Sequence, residues 1–109
     1  NKKKSFIEVK NVTLLRKKGI AEFPDAETLR GSKHLRELIK ASNKGFNIYI
    51  VYVVQREDCD YFSITKDIDK EYAKLLTEAV KKKLKIVCFD CKFTSKGISI
   101  NKCLKFLKL

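Results

Sequence analysis

Phe46-Asn47-Ile48-Tyr49-Ile50-Val51-Tyr52-Val53-Val54 is the most hydrophobic run in the chain. β-Branched and aromatic residues fill it and neither Gly nor Pro interrupts it, which is the composition of a strand. The run is apolar without alternation, so the strand is expected to be covered on both faces, as in a parallel or mixed sheet flanked by helices. The expected fold class is therefore α/β, with a mixed central sheet and helices packed against it. Ile48–Val54 is also the longest uninterrupted apolar stretch, far short of a bilayer span. The lysines at the N-terminus have no apolar segment behind them, unlike a signal peptide. The expectation is a cytoplasmic protein with no membrane partner.

Upstream of the run, Lys44-Gly45 reads as a helix end with a C-cap glycine. The helix it closes runs from about Ala26 or Leu29 to Asn43, with Thr28, Ser32, Leu35, Leu38, Ile39 and Ser42 as its inward stripe. Pro24 stops whatever precedes it, and Asp25 or Thr28 caps the helix. Arg30, Lys33, Glu37 and Lys40 lie on another face. The cluster Arg30-Gly31-Ser32-Lys33-His34 places cations near a helix N-terminus, a phosphate-gripping arrangement. His34 is the only histidine, and a lone helical His serves equally as a packed or solvated side chain.

Further upstream, Phe6-Ile7-Glu8-Val9-Lys10-Asn11-Val12-Thr13 is a second strand. Residues i and i+2 share a face, so Glu8 and Lys10 point one way while Ile7 and Val9 point the other. A carboxylate beside an ammonium suits metal-assisted phosphodiester chemistry: the carboxylate ligates a hard ion and the lysine neutralises charge on the phosphate. The same spacing also describes a solvated ion pair of little energetic consequence. Arg16-Lys17-Lys18-Gly19 is a polar turn, after which Ile20 to Phe23 pairs back as a short strand.

Downstream, Gln55 and Arg56 follow the central strand directly. Residues at the carboxyl end of such a strand commonly face the site, so both are candidates for reading phosphate or base. They are equally the start of the acidic loop Glu57-Asp58-Cys59-Asp60. Asp69 caps a second helix reaching about Lys83, with Tyr72, Leu75, Leu76 and Ala79 as its buried stripe. Leu84 to Phe93 and Ile98 to Lys102 complete the strands, joined by the turn Ser95-Lys96-Gly97. Asp90-Cys91-Lys92 repeats the acid-x-Lys spacing on a strand and remains a rival active pair. Cys88 and Cys91 have zinc-knuckle spacing but sit in that strand, where residues i and i+3 face opposite sides. Reduced cysteines and no zinc are expected, with Cys59 and Cys103 the remaining thiols.

At 109 residues the chain is one domain at most. Its 25 Lys and Arg against 13 Asp and Glu leave a net charge of +12, which favours polyanion partners unless the surplus is a lysine bias without function. The chain lacks an initiator methionine and enters a strand almost at once, and is read as a piece of a longer protein.

Glu8-Val9-Lys10-Asn11-Val12-Thr13-Leu14, Phe23-Pro24-Asp25-Ala26 and Arg30-Gly31-x-Lys33-His34-Leu35-x-Glu37-Leu38 together resemble the sugar fermentation stimulation protein A family. Val53-Val54-Gln55-Arg56 and Ile68-Asp69-x-x-Tyr72 extend the likeness across nearly the whole chain. The resemblance implies a restriction-endonuclease-like domain over residues 1–109, preceded in the family by a small OB-like domain that is absent here. It further implies DNA binding and a part in regulating sugar (maltose) metabolism genes. By carry-over Glu8 is a metal carboxylate and Lys10 the phosphate-stabilising lysine, with Mg²⁺ as the implied cofactor. The family's other metal-binding Asp lies on the preceding strand, before this chain begins.

Three readings result. The first is a DNA-binding module that grips phosphates through Lys10, Arg30, Lys33, His34, Gln55 and Arg56. The second is a Mg²⁺-dependent endonuclease with Glu8 and Lys10 catalytic. The third is a scaffold that is basic without binding nucleic acid.

Overall fold

The computed structural model describes residues 4–107, and Asn1-Lys2-Lys3 lie outside the described residues. The central run is β4 (Asn47–Val54), lying between β1 (Ser5–Val12) and β6 (Lys85–Thr94), both parallel to it. β7 (Gly97–Cys103) adds antiparallel to β6, giving the mixed order β1-β4-β6-β7. The α/β architecture with a mixed sheet and two helices is the one expected from the sequence.

β4 departs from its expected surroundings. Ile48, Ile50, Tyr52 and Val54 are buried, whereas Tyr49, Val51 and Val53 between them are only half-buried. The two helices, α1 (Leu29–Asn43) and α2 (Lys70–Lys81), pack on each other and join the even-numbered residues of β4 in one core through Leu35, Leu38, Leu75 and Leu76. Among the described residues, helices cover one face of this sheet and not both.

A second sheet was not foreseen. β2 (Leu14–Lys17) and β3 (Ile20–Phe23) form the expected hairpin over Gly19, whose φ of +80° supplies the left-handed turn. β3 then pairs in parallel with β5 (Tyr61–Ile64), and β5 with the two-residue β8 (Lys105–Phe106). Phe62 of β5 stacks on Tyr52 of β4 at 4.5 Å between ring centres, so both sheets share one core.

The helix starts follow local chemistry. Thr28, not Asp25, caps α1, its hydroxyl accepting from the Gly31 amide at 2.8 Å. Gly31 is needed there: a Cβ would lie 2.7 Å from the Thr28 methyl and 3.1 Å from the Tyr72 ring. Asp69 caps α2 through one oxygen, accepting from Tyr72 N at 3.0 Å, and with the other accepts from Thr28 N at 2.8 Å. One buried carboxylate thus ties the two helix starts together. Asp69→Ala should lose both charge-assisted bonds and lower the stability by about 2–4 kcal/mol, more than an ordinary cap. The shift of the urea midpoint measures it, and a loss below about 1 kcal/mol would show that the tie to α1 contributes nothing.

Candidate functional site

Parallel pairing fixes which β1 residues face the helices. Lys10 is in register with buried Tyr52 and Glu8 with buried Ile50, so the alternation turns both toward α1. Helix α1 brings His34 over them. Lys10 Nζ lies 2.7 Å from His34 Nδ1 and 3.6 Å from Glu8 Oε1, and His34 Nδ1 is 3.2 Å from the same carboxylate oxygen. An ammonium can only donate, so Nδ1 is the acceptor and the ring proton sits on Nε2. The 3.2 Å spacing is then the approach of two acceptors around a shared cation, not a bond between them. Lys10 thus hydrogen-bonds to His34 and makes a longer ion pair with Glu8, with 12% of its side chain exposed.

Burial pushes the Lys10 ammonium below the ordinary lysine range, Glu8 pulls the other way, and nearby Arg30 adds to the lowering. The lysine is therefore half-buried and poised between an anion and a cation. Arg30 and Lys33 are exposed on the first turns of α1, and neither has an ion-pair partner within 4 Å among the described residues. The positive end of the helix adds to their field. Glu8 and His34 also line a cleft of about 320 Å³ with Phe6, Ile7, Glu37 and Leu38.

Beneath the cluster lies a feature that the reading of site residues did not include. The hydroxyls of Tyr52 and Tyr72 meet at 2.6 Å inside the core. Burial raises both phenols, and the Glu8 charge raises Tyr72 further, which places that hydroxyl within the field of the site. The signal was available: tyrosines at buried positions of a strand and a helix need a polar partner, and each supplies the other's.

Gln55 and Arg56 are not brought to this cluster. They lie at the end of β4, five and six residues beyond the register position of Glu8. Arg56 lies past the strand end, four positions beyond the register partner of Lys10, or roughly 13 Å at 3.3 Å per residue. Its guanidinium is engaged by Asp58 at 2.7 and 2.9 Å, which holds that carboxyl down at about 2. The rival pair separates from the first by access. Asp90 is 0% exposed, its Oδ1 accepts from the Lys102 amide at 2.8 Å, and Lys102 Nζ lies 4.0 Å from Oδ2. Glu8, with 29% of its side chain exposed, is open to a ligand, and Asp90 is not.

The pair with zinc-knuckle spacing does not converge. Cys88 faces the helices while Cys91, three residues on, faces the opposite side of β6. Burial pushes Cys88 up to about 12 and Cys59 to about 11, so both are poor nucleophiles at neutral pH. Among the described residues, no three His, Cys, Asp or Glu side chains are grouped to hold a metal ion. None of the described helices is long and apolar enough to cross a membrane.

Comparison with known proteins adds four findings. Residues 1–97 match the family model described as the sugar fermentation stimulation protein RE domain. A sugar fermentation stimulation protein homolog of Pelagibacter ubique is 50% identical over 107 residues, covering 98% of this chain and 46% of the relative. A Bdellovibrio bacteriovorus homolog is 46% identical over 107 residues, covering 44% of its own length. The Pyrococcus furiosus SfsA structure, solved in complex with Ca²⁺, superposes with a TM-score of 0.86 at 28% identity, over 95% of this chain and 45% of that one. The chain thus spans a little under half the length of the proteins it matches.

Proposed function

The chain belongs to the sugar fermentation stimulation protein family, and from that membership and the site geometry we propose that it is a nuclease-like domain that binds duplex DNA, in the service of sugar-metabolism genes. The observation that carries this reading is the cation group on one edge of the domain. Lys10 is held between Glu8 and His34, and Arg30 and Lys33 stand unpaired among the described residues near it. Three cations beside a helix N-terminus suit a polyanionic backbone better than an uncharged ligand. The net charge of +12 supplies the long-range attraction.

Filter binding of a labelled duplex across a salt series tests it. The logarithm of the binding constant should fall linearly against log salt with a slope of about −3 or steeper, the signature of three or more phosphates. Absence of retention at low salt, or a flat profile, leaves the scaffold reading in its place.

A second reading, cleavage of DNA phosphodiesters, is favoured by the Glu8–Lys10 juxtaposition and by the Ca²⁺ bound to the Pyrococcus furiosus relative. A hard divalent ion takes six or more oxygen ligands, commonly from more than one carboxylate. Glu8 offers one, and Lys10 already competes for it. These residues alone do not fit Mg²⁺ or Ca²⁺, and no catalytic step through a metal follows from them. The resemblance puts the other carboxylate on the strand before β1, so this chemistry would require the longer protein.

A further inference from the structure

The face of the main sheet turned away from the helices carries an apolar band across its middle, bordered by Lys85 beside Tyr49 and by Asn11 beside Val53. In register across it, Ile7 and Val9 of β1 lie beside Tyr49 and Val51 of β4, and Val51 and Val53 beside Val87 and Phe89 of β6. The alternation continues through Cys91 and Phe93, which lie opposite Ile100 and Ile98 of β7. Ile7 is 62% exposed, Ile98 64% and Ile100 66%, although each sits in a regular strand. A patch this continuous is unusual on a protein surface and marks an interface. The central strand carries the same message, because a run apolar on both faces belongs to a sheet covered on both faces.

We infer that this outer face is the docking surface for the polypeptide that family members carry beyond the matched residues. Two observations select that occupant. In the Pelagibacter and Bdellovibrio relatives the matched residues are 46% and 44% of the length, so more than half of each protein lies outside them. A tethered segment meets the face at an effective concentration in the millimolar range, which no free partner matches. A second copy of this chain is disfavoured by charge, since face-to-face pairing brings together two bodies of +12 each. The inference rests on the apolar face and stands apart from the DNA reading.

Thiol footprinting tests it. Cysteine is introduced as Ile7→Cys and Ile100→Cys in this chain and at the aligned positions of the full-length Pelagibacter relative. Lys81→Cys, on the exposed side of α2, is the reference in both. Iodoacetamide labelling is followed site by site by mass spectrometry. The expected result is labelling at both face positions slowed about tenfold or more in the full-length relative, because a covered site reacts only through local opening, with the reference unchanged. Equal rates in the two proteins overturn the inference. Protection already present in this chain alone, rising with its concentration alongside a dimer in sedimentation, overturns it in favour of a second copy.

Discussion

Phe62→Ala should destabilise the domain by about 3–5 kcal/mol, a large part of the 5–15 kcal/mol that holds a domain of this size together. Phe62 is fully buried and is the joint between the two sheets. It stacks on Tyr52 at 4.5 Å on one side and meets Phe106 at 5.9 Å on the other. Tyr52 in turn contacts Phe23 at 5.5 Å and shares its hydroxyl with Tyr72. Truncation removes a ring from the middle of that chain, and rigid strands on both sides limit collapse into the space. The control is Ile100→Ala on the outer face, expected to change stability by less than about 0.5 kcal/mol because the side chain is mostly in water. Urea unfolding reads both, with the midpoint moving and the slope constant. A Phe62→Ala loss below about 1 kcal/mol would show that the second sheet is an appendage and not part of the core.

That joint was not legible in the sequence, for a physical reason. Tyr61–Ile64 and Lys105–Phe106 are too short to show a period, and their parallel partners lie about forty residues away in the chain. Nothing local reports such a pairing. The helices were legible because a 3.6-residue period, Thr28, Asp69 and Gly45 are all local signals. The β4 run was read correctly as a strand, yet its expected second cover is missing from the described residues, and the mismatch became the argument for the docking face.

The site was half legible for the same reason. Glu8 and Lys10 share a face by a period of two, which any reader of the strand obtains. The 2.7 Å contact from Lys10 to His34 spans 24 residues and is set by how α1 crosses the sheet. The sequence puts His34 among phosphate-contacting residues through its basic neighbours alone. Gln55 and Arg56 were selected by the rule that sites lie beyond the carboxyl ends of strands, whereas Glu8 and Lys10 sit inside β1. The Tyr52–Tyr72 pair is a tertiary contact between two residues each read simply as core.

The triple variant Lys10→Ala, Arg30→Ala, Lys33→Ala should bind duplex DNA about a hundredfold more weakly than the parent at low salt. Each cation-to-phosphate contact contributes roughly 1 kcal/mol net, and about 1.4 kcal/mol is a factor of ten. The slope of log affinity against log salt should become shallower by about 2.7, at roughly 0.9 for each phosphate released. Arg30 and Lys33 are exposed, and Lys10 is partly exposed, with burial and Arg30 lowering its basicity. The sign with pH follows: Lys10 loses its charge at a lower pH than an ordinary lysine, so its share of binding fades first as the solution becomes alkaline. Glu8→Ala is the informative contrast, because it removes an anion that repels phosphate and should leave binding unchanged or stronger. Run with Mg²⁺ or Mn²⁺ on supercoiled DNA in a chain extended through the family's preceding strand, the same variant separates the two functional readings. Nicking that disappears with Glu8→Ala makes the site a nuclease centre. Retention that survives Glu8→Ala and collapses in the triple variant, with no nicking by the parent, makes it a grip on the phosphate backbone. Affinity and salt slope left unmoved by all three substitutions would remove this edge of the domain from DNA binding altogether.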